Sequence, residues 1–282
     1  RIKNFFSNYF KEPKSFKSTI KQSQMNSTKS LSLLSIARLS LFQGCLGCLA
    51  VIFAGMLNRI MISELAFPAL LVGGGLAFEQ LMAPSRVLFG NISDGNPIRG
   101  RRRTPYILLG SAFFCLMAVV SIPLIFLTEQ ALRQGDFLPI VGSVIGLCSL
   151  FALYGLAISM ATTPYLALVI DLTSEEERPR AVGIIWCMLT IGIIVGAIAI
   201  SITIKGIDGV SDPSILEPAL QKFMIWVSCI VFSISIIACW GIEPQNTAKN
   251  LKNKKNSQEI GIKDAWKLIT SSPQIGIFFS FL

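Results

Sequence analysis

Glu79 stands in an apolar stretch of the chain, with Gln80 beside it and Arg86 seven residues on. A carboxylate inside a membrane span costs about 2.5–3.5 kcal/mol to insert unless it is protonated or paired, so it is a candidate for function by default. It can hold a proton or a cation, and as an oxygen donor it suits a hard ion such as magnesium. Its structural alternative is an interhelical hydrogen bond. Gln43 and Asn58 are the other polar side chains available in the first half of the apolar region, and with Glu79 and Gln80 they complete the candidate ligand or proton site. Arg38 and Arg86 are charges carried within spans. Arg38 is expected to snorkel to the headgroups, and Arg86 to snorkel or face Asp94. Asn58, Arg59 and Glu64 gather at the far end of the first span, where they could close a cavity or meet a partner. No catalytic constellation is present. The sequence contains no His and no phosphate-binding Gly loop with a Lys, which argues against an enzyme. All seven Cys lie in apolar runs, and Cys45-x-x-Cys48 lacks the second pair or the His that a metal site needs. The cysteines are read as small packing residues, with no metal site.

The elements that must position these residues are transmembrane helices. Hydrophobic residues make up 52% of the chain and charged ones 15%, and the mean hydropathy is +0.62. Residues 107–127, 137–170, 181–204 and 223–242 carry no charge. About 20 apolar residues cross the hydrocarbon as a helix, and a backbone in lipid must satisfy its own hydrogen bonds. The fold class is therefore an all-α polytopic membrane protein. Six spans are expected at about 31–57, 65–89, 106–128, 137–170, 181–204 and 223–242. They follow a Lys-rich arm at 1–30 and precede a polar linker at 245–264. The fourth run is too long for a simple crossing, so it should tilt or bend, with Pro164 the natural place. Residues 265–282 read as the truncated start of a seventh span. The first residue is Arg1, the last lies inside an apolar run, and Met25 could be an alternative start, so a fragment is expected.

Basic residues set the orientation. The arm holds seven Lys or Arg, the loop after the second span four, the loop after the fourth two, and the region after the sixth span six. The opposite loops hold Arg59, Arg133, Lys205 and Lys222. The positive-inside rule then places the N-terminus in the cytoplasm. The net charge of +9 belongs to these loops, and no aromatic-interleaved basic domain suggests nucleic acid.

Gly90-Asn-Ile-Ser-Asp94, followed by Arg99-Gly-Arg101-Arg102-Arg103, resembles the loop between helices two and three of the major facilitator superfamily, with extra residues at 95–98. Gly90 allows close helix approach. Asp94 can accept from a helix N-terminus or pair with an arginine, and the arginines hold the loop at an anionic face. The resemblance implies a conformational latch built from Gly90, Asp94, Arg101, Arg102 and Arg103. Its partner would lie in a second half of the protein, so this stretch would hold one face of the switch. Thr162-Thr-Pro-Tyr165 through Asp171, Glu177, Arg178 and Arg180 is similar to the same superfamily's connector between helices four and five, with Ser174 and Glu177 spaced as a capping box.

The whole chain resembles one branch, the PucC-like, bacteriochlorophyll-delivery family. The likeness is carried by Phe53-Ala-Gly-Met-Leu-Asn58-Arg59, Pro84-Ser-Arg86, Arg102-Arg103-Thr-Pro105-Tyr106, Thr163-Pro164-Tyr165 and Trp186-Cys-Met-Leu-Thr-Ile-Gly192. It implies the N-terminal six-helix bundle of a major facilitator fold in a thylakoid or bacterial inner membrane. It further implies light-harvesting or photosystem subunits as partners, chlorophyll as the one cofactor to consider, and a role in assembling chlorophyll-protein complexes. A proton-coupled transporter of a small solute and a pigment-free scaffold are the alternatives. The few polar side chains in the spans favour assembly or scaffold over a sugar or ion carrier. Gly142-x-x-x-Gly146, Gly192-x-x-x-Gly196 and Gly73–Gly75 are expected to let helices approach closely.

Overall fold

The computed structural model describes residues 33–98, 100–205 and 213–243. The expected arm at 1–30, the linker at 245–264 and the start of a seventh span lie outside the described residues. All the regular structure described is helical apart from an isolated bridge between Ile98 and Arg101. Five helices are long and apolar enough to cross a membrane: α1 (Leu34–Glu64), α4 (Thr104–Gln134), α5 (Phe137–Leu172), α6 (Arg178–Lys205) and α7 (Pro213–Cys239). Between α1 and α4 lie two shorter helices, α2 (Ala69–Leu81) and α3 (Ser85–Gly95).

The expected second span is therefore broken. Pro84 has no N–H to return to the Gln80 carbonyl, and its ring crowds that carbonyl. The chain crosses the gap on tighter bonds, Met82 N–H to the Glu79 oxygen at 3.3 Å and Ala83 N–H to the Gln80 oxygen at 3.0 Å. Pro164, by contrast, is buried inside an unbroken 36-residue α5. Helix α1 departs from α geometry in its far half, with π-helical turns at Val51–Met56 and Ile60–Glu64. Gly135 ends α4 in the left-handed region at φ 77°, and its N–H bonds the Ala131 carbonyl, which allows an immediate turn into α5.

Packing follows a repeated pattern. Helix α1 packs on α6 and α7; α5 packs on α2, α3 and α4; and α4 packs on α7. If α1 is matched with α5, the α2–α3 pair with α6, and α4 with α7, every contact has its counterpart. Helix α1 begins where α5 ends, since the Tyr165 hydroxyl donates to the Leu39 carbonyl at 3.2 Å. The two sets of three thus run in opposite directions. Buried aromatics lock α1 to α5. Phe53 stacks on Tyr154 with centroids 3.7 Å apart and meets Phe151 edge-on at 5.5 Å, and Phe42 lies 4.6 Å from Tyr165.

The glycines that matter are only partly those the spacing suggested. A Cβ on Gly192 would run into the Gly44 carbonyl, and one on Gly196 would lie 2.7 Å from the carbonyl oxygen of Cys48. Helices α1 and α6 therefore touch backbone to backbone. Gly155 does the same against Glu79 on α2, and Gly110 against Ala161 on α5. Gly142 meets nothing within 4 Å and Gly146 meets only the end of Leu124, so that pair closes no helix crossing. Gly73 and Gly74 also face open space. Gly192→Ala should therefore lower the melting temperature of the detergent-purified protein, by an overpacking cost of about 1–3 kcal/mol. Gly142→Ala, measured in the same thermal melt, should be neutral or slightly stabilising.

Candidate functional site: a polar hub at the helix ends and a mid-depth carboxylate

One end of the bundle gathers the start of α1, the end of α3, the start of α4, the end of α5 and the end of α7. Arg103 is its centre and is 7% exposed. Its Nη2 lies 2.8 Å from Asp94 Oδ1 on α3, and its Nε lies 3.2 Å from Asp171 Oδ2 on α5. Its Nη1 donates to Ser93 Oγ at 3.2 Å. A buried guanidinium is tolerable only when its donors are met, and here each edge of the fork has an acceptor. Arg102 Nη2 reaches the same Asp94 oxygen at 3.0 Å.

Glu243 completes the hub. It is 5% exposed and lies four residues past the end of α7. Its carboxylate accepts the Arg102 N–H at 2.6 Å, the Arg103 N–H at 3.2 Å, and both the N–H and the Oγ–H of Thr104 at 2.8 Å. These are donors at the N-terminus of α4, where a negative charge is also favoured by the helix dipole. Asp94 therefore takes arginines, not the helix N-terminus, because Glu243 occupies that position. On the same end, Arg38 Nη2 donates to the Trp240 carbonyl at 2.6 Å. It is bonded at the C-terminal end of α7 rather than free among headgroups.

The expected latch residues separate on inspection. Asp94, Arg102 and Arg103 join through side chains. Gly90 packs near Thr163 of α5. Arg101 contributes its backbone, bonding Ile98 in both directions across a turn that Gly100 permits at φ 77°. That turn and the bond from Tyr106 Oη to the Asn96 carbonyl, 2.8 Å, order the extra loop residues. Of the connector after α5, Asp171 enters the hub. Glu177 and Arg178 do not: among the described residues one Glu177 carboxylate oxygen is buried without a partner, and the Arg178 side chain pairs with the exposed Glu175 at 3.9 Å. The capping box is not formed, since Ser174 offers its carbonyl to the N–H groups of Glu177 and Arg178.

The second feature is Glu79. Its backbone lies against Gly155, at the middle of α5, so it sits at mid-depth although it is two residues from the end of α2. It is half-buried. Among the described residues its carboxylate has neither a hydrogen bond nor an ion pair. The Phe53–Tyr154 stack and the first π-helical turn of α1 lie at the same depth. The other proposed ligand residues do not converge on it. Gln43 lies beside Phe42, which packs on Tyr165, ten residues from Phe53 and so about 15 Å along α1. Its Oε1 is buried and, among the described residues, unpartnered. Asn58, Gln80 and Arg86 are exposed. Among the described residues no group of three or more His, Cys, Asp or Glu could hold a metal ion.

These features define a polytopic helical membrane protein with ion-paired helix ends and one uncompensated acid at mid-depth. The family model for PUCC protein matches residues 56–282, and the chain belongs to that family. It is 30% identical over 250 residues to Protein PucC of Rhodovulum sulfidophilum, covering 87% of this chain and 52% of the relative. It is 34% identical over 239 residues to Protein PucC of Cereibacter sphaeroides, covering 84% and 49%. It is 29% identical over 265 residues to the bacteriochlorophyll synthase 44.5 kDa chain of Rhodobacter capsulatus, covering 89% and 53%. The chain thus spans about half the length of the curated relatives it matches. No solved structure matches it.

Sequence inspection missed Glu243, Ser93, Thr104 and Trp240. The available signal for Glu243 was an acid placed between the end of an apolar run and Pro244. If the hub is one network, Glu243→Gln should destabilise the protein by about 1–3 kcal/mol in chemical denaturation, the cost of weakening a buried charged acceptor. A double-mutant cycle of Arg103→Gln with Asp171→Asn should give a coupling of about 0.5–3 kcal/mol.

Proposed function

We propose that this chain is one six-span half of a major facilitator fold, with α2 and α3 together making the sixth crossing. In that fold it helps assemble light-harvesting or photosystem chlorophyll-protein complexes. The family membership carries the proposal. The matched pattern of helix contacts supports the fold, since two oppositely running three-span repeats are how such halves are built. The ion-paired helix ends serve as the near face of the latch, at the cytoplasmic side.

Within this proposal Glu79 is where the cargo is held. A carboxylate without a partner could hold the magnesium of a chlorophyll, a hard ion that takes oxygen ligands. The exposed face of α2 around Gly73, Gly74 and Phe78 supports an approach by an apolar pigment from that side. The chain's own residues then bind and orient the pigment, and no bond-making step is assigned to them. The same uncompensated acid is also what a proton-coupled carrier would use.

The test is a pull-down of tagged full-length protein from photosynthetic membranes, with an absorption spectrum and subunit identification on the eluate. Wild type should bring down antenna or photosystem subunits with a chlorophyll band, and Glu79→Gln should lose the band while keeping the subunits. A band unchanged by Glu79→Gln moves the pigment elsewhere. A colourless eluate with subunits makes the protein a scaffold. A colourless eluate without them overturns the assembly role in favour of proton-coupled transport.

A further inference from the structure

Three tyrosines lie among the described residues, and two of them are satisfied. Tyr106 donates to the Asn96 carbonyl at 2.8 Å and Tyr165 to the Leu39 carbonyl at 3.2 Å. Tyr154 is 1% exposed, yet among the described residues its hydroxyl bonds nothing. A phenol taken out of water without a new hydrogen bond is a net cost to the fold. Phenylalanine at this position would keep the ring and spare that cost.

The ring is fixed in place. It stacks on Phe53 of α1, with centroids 3.7 Å apart and planes 13° from parallel. The next residue on α5, Gly155, meets the backbone of Glu79. One turn earlier Phe151 packs on Gly75, its ring 3.2 Å from where a Cβ would stand. Helix α2 is therefore pressed on α5 along the turn that carries Glu79, and Tyr154 is held at that level from the α1 side. Its hydroxyl lies within reach of the charge on Glu79, but no hydrogen bond joins the two groups. Two polar groups are thus left open at one depth. The carboxylate offers oxygen to a metal or a proton, and the hydroxyl offers a hydrogen to an acceptor. Together they suit a ligand with an electron-poor centre and a carbonyl oxygen at its edge.

We propose that the Tyr154 hydroxyl is the second contact of the Glu79 cargo site and donates a hydrogen bond to a peripheral carbonyl of the bound pigment. The proposal rests on the reading of Glu79 as the cargo site. Because the stack on Phe53 aims the hydroxyl, the bond fixes the rotation of the pigment about the carboxylate contact. A pigment with no carbonyl at that place keeps the carboxylate contact and loses the second one.

The test uses tagged full-length protein purified from photosynthetic membranes. Absorption measures the pigment retained, and resonance Raman spectroscopy measures its carbonyl stretch. In wild type the stretch should lie below that of the same pigment in a solvent that donates no hydrogen bond. Tyr154→Phe should return it to the solvent value and lower retention about three- to ten-fold, the worth of one neutral hydrogen bond. Its thermal melt should be unchanged or raised. Tyr165→Phe removes a hydroxyl that has a partner, so it should lower the melt and leave the stretch unmoved. Pigment lost in Glu79→Gln but unchanged in amount and stretch in Tyr154→Phe overturns this proposal alone. A fall in retention with the stretch unmoved assigns the hydroxyl to Glu79 itself and also overturns it. Wild type without pigment, or pigment unaffected by Glu79→Gln, overturns the Glu79 reading and this proposal with it.

Discussion

Hydrocarbon gives a polar group nothing to bond to, and most departures from plain apolar helix among the described residues are settled against that constraint. Hydroxyls within the spans turn back on their own helices. Ser111, Ser121, Thr128, Thr162 and Ser235 each donate to a carbonyl three or four residues earlier. Where Pro84 removes a backbone donor, the chain tightens its turns and starts a new helix. At the hub, the open N-terminus of α4 is met by Glu243 and the buried fork of Arg103 by Asp94, Asp171 and Ser93. The α1 arginine, Arg38, finds the exposed carbonyl at the end of α7. Charge at this end of the bundle is thereby converted into ties between helices.

Helix association in lipid gains little from the hydrophobic effect, because the solvent is as apolar as the side chains. Close contact has to supply the attraction. Glycines do this at the α1–α6, α2–α5 and α4–α5 crossings. Stacked aromatics fill the space between α1 and α5, where the backbones stand further apart. The result is a bundle tied through its middle by packing and at one end by ion pairs, which suits a unit that moves as a rigid body.

Against that economy Glu79 is conspicuous. Most other charges of the described bundle stand near a helix end or have a partner. Glu79 is held at mid-depth by the contact of its backbone with Gly155, yet its carboxylate is left unanswered. That opening is the observation on which the proposed cargo site at Glu79 rests.

The composition and the four uncharged runs were enough to establish helices crossing a membrane, because the period and length of an apolar helix in lipid are local properties. The pairing of Asp94 with the arginines was legible too, since eight or nine residues and one turn separate them. That Glu79 interrupts an apolar stretch was legible as well, because the order of side chains is itself local. Only the tertiary structure decided who meets whom across long separations. Glu243 lies 139 residues from Thr104, and no local pattern connects an acid after one span to the amides before another. The same limit explains why Gly192 and Gly196 close a crossing while Gly142 and Gly146 do not, although their spacing is identical. A small-residue motif states only that a face is smooth. Whether another backbone lies against it depends on how all the helices pack together.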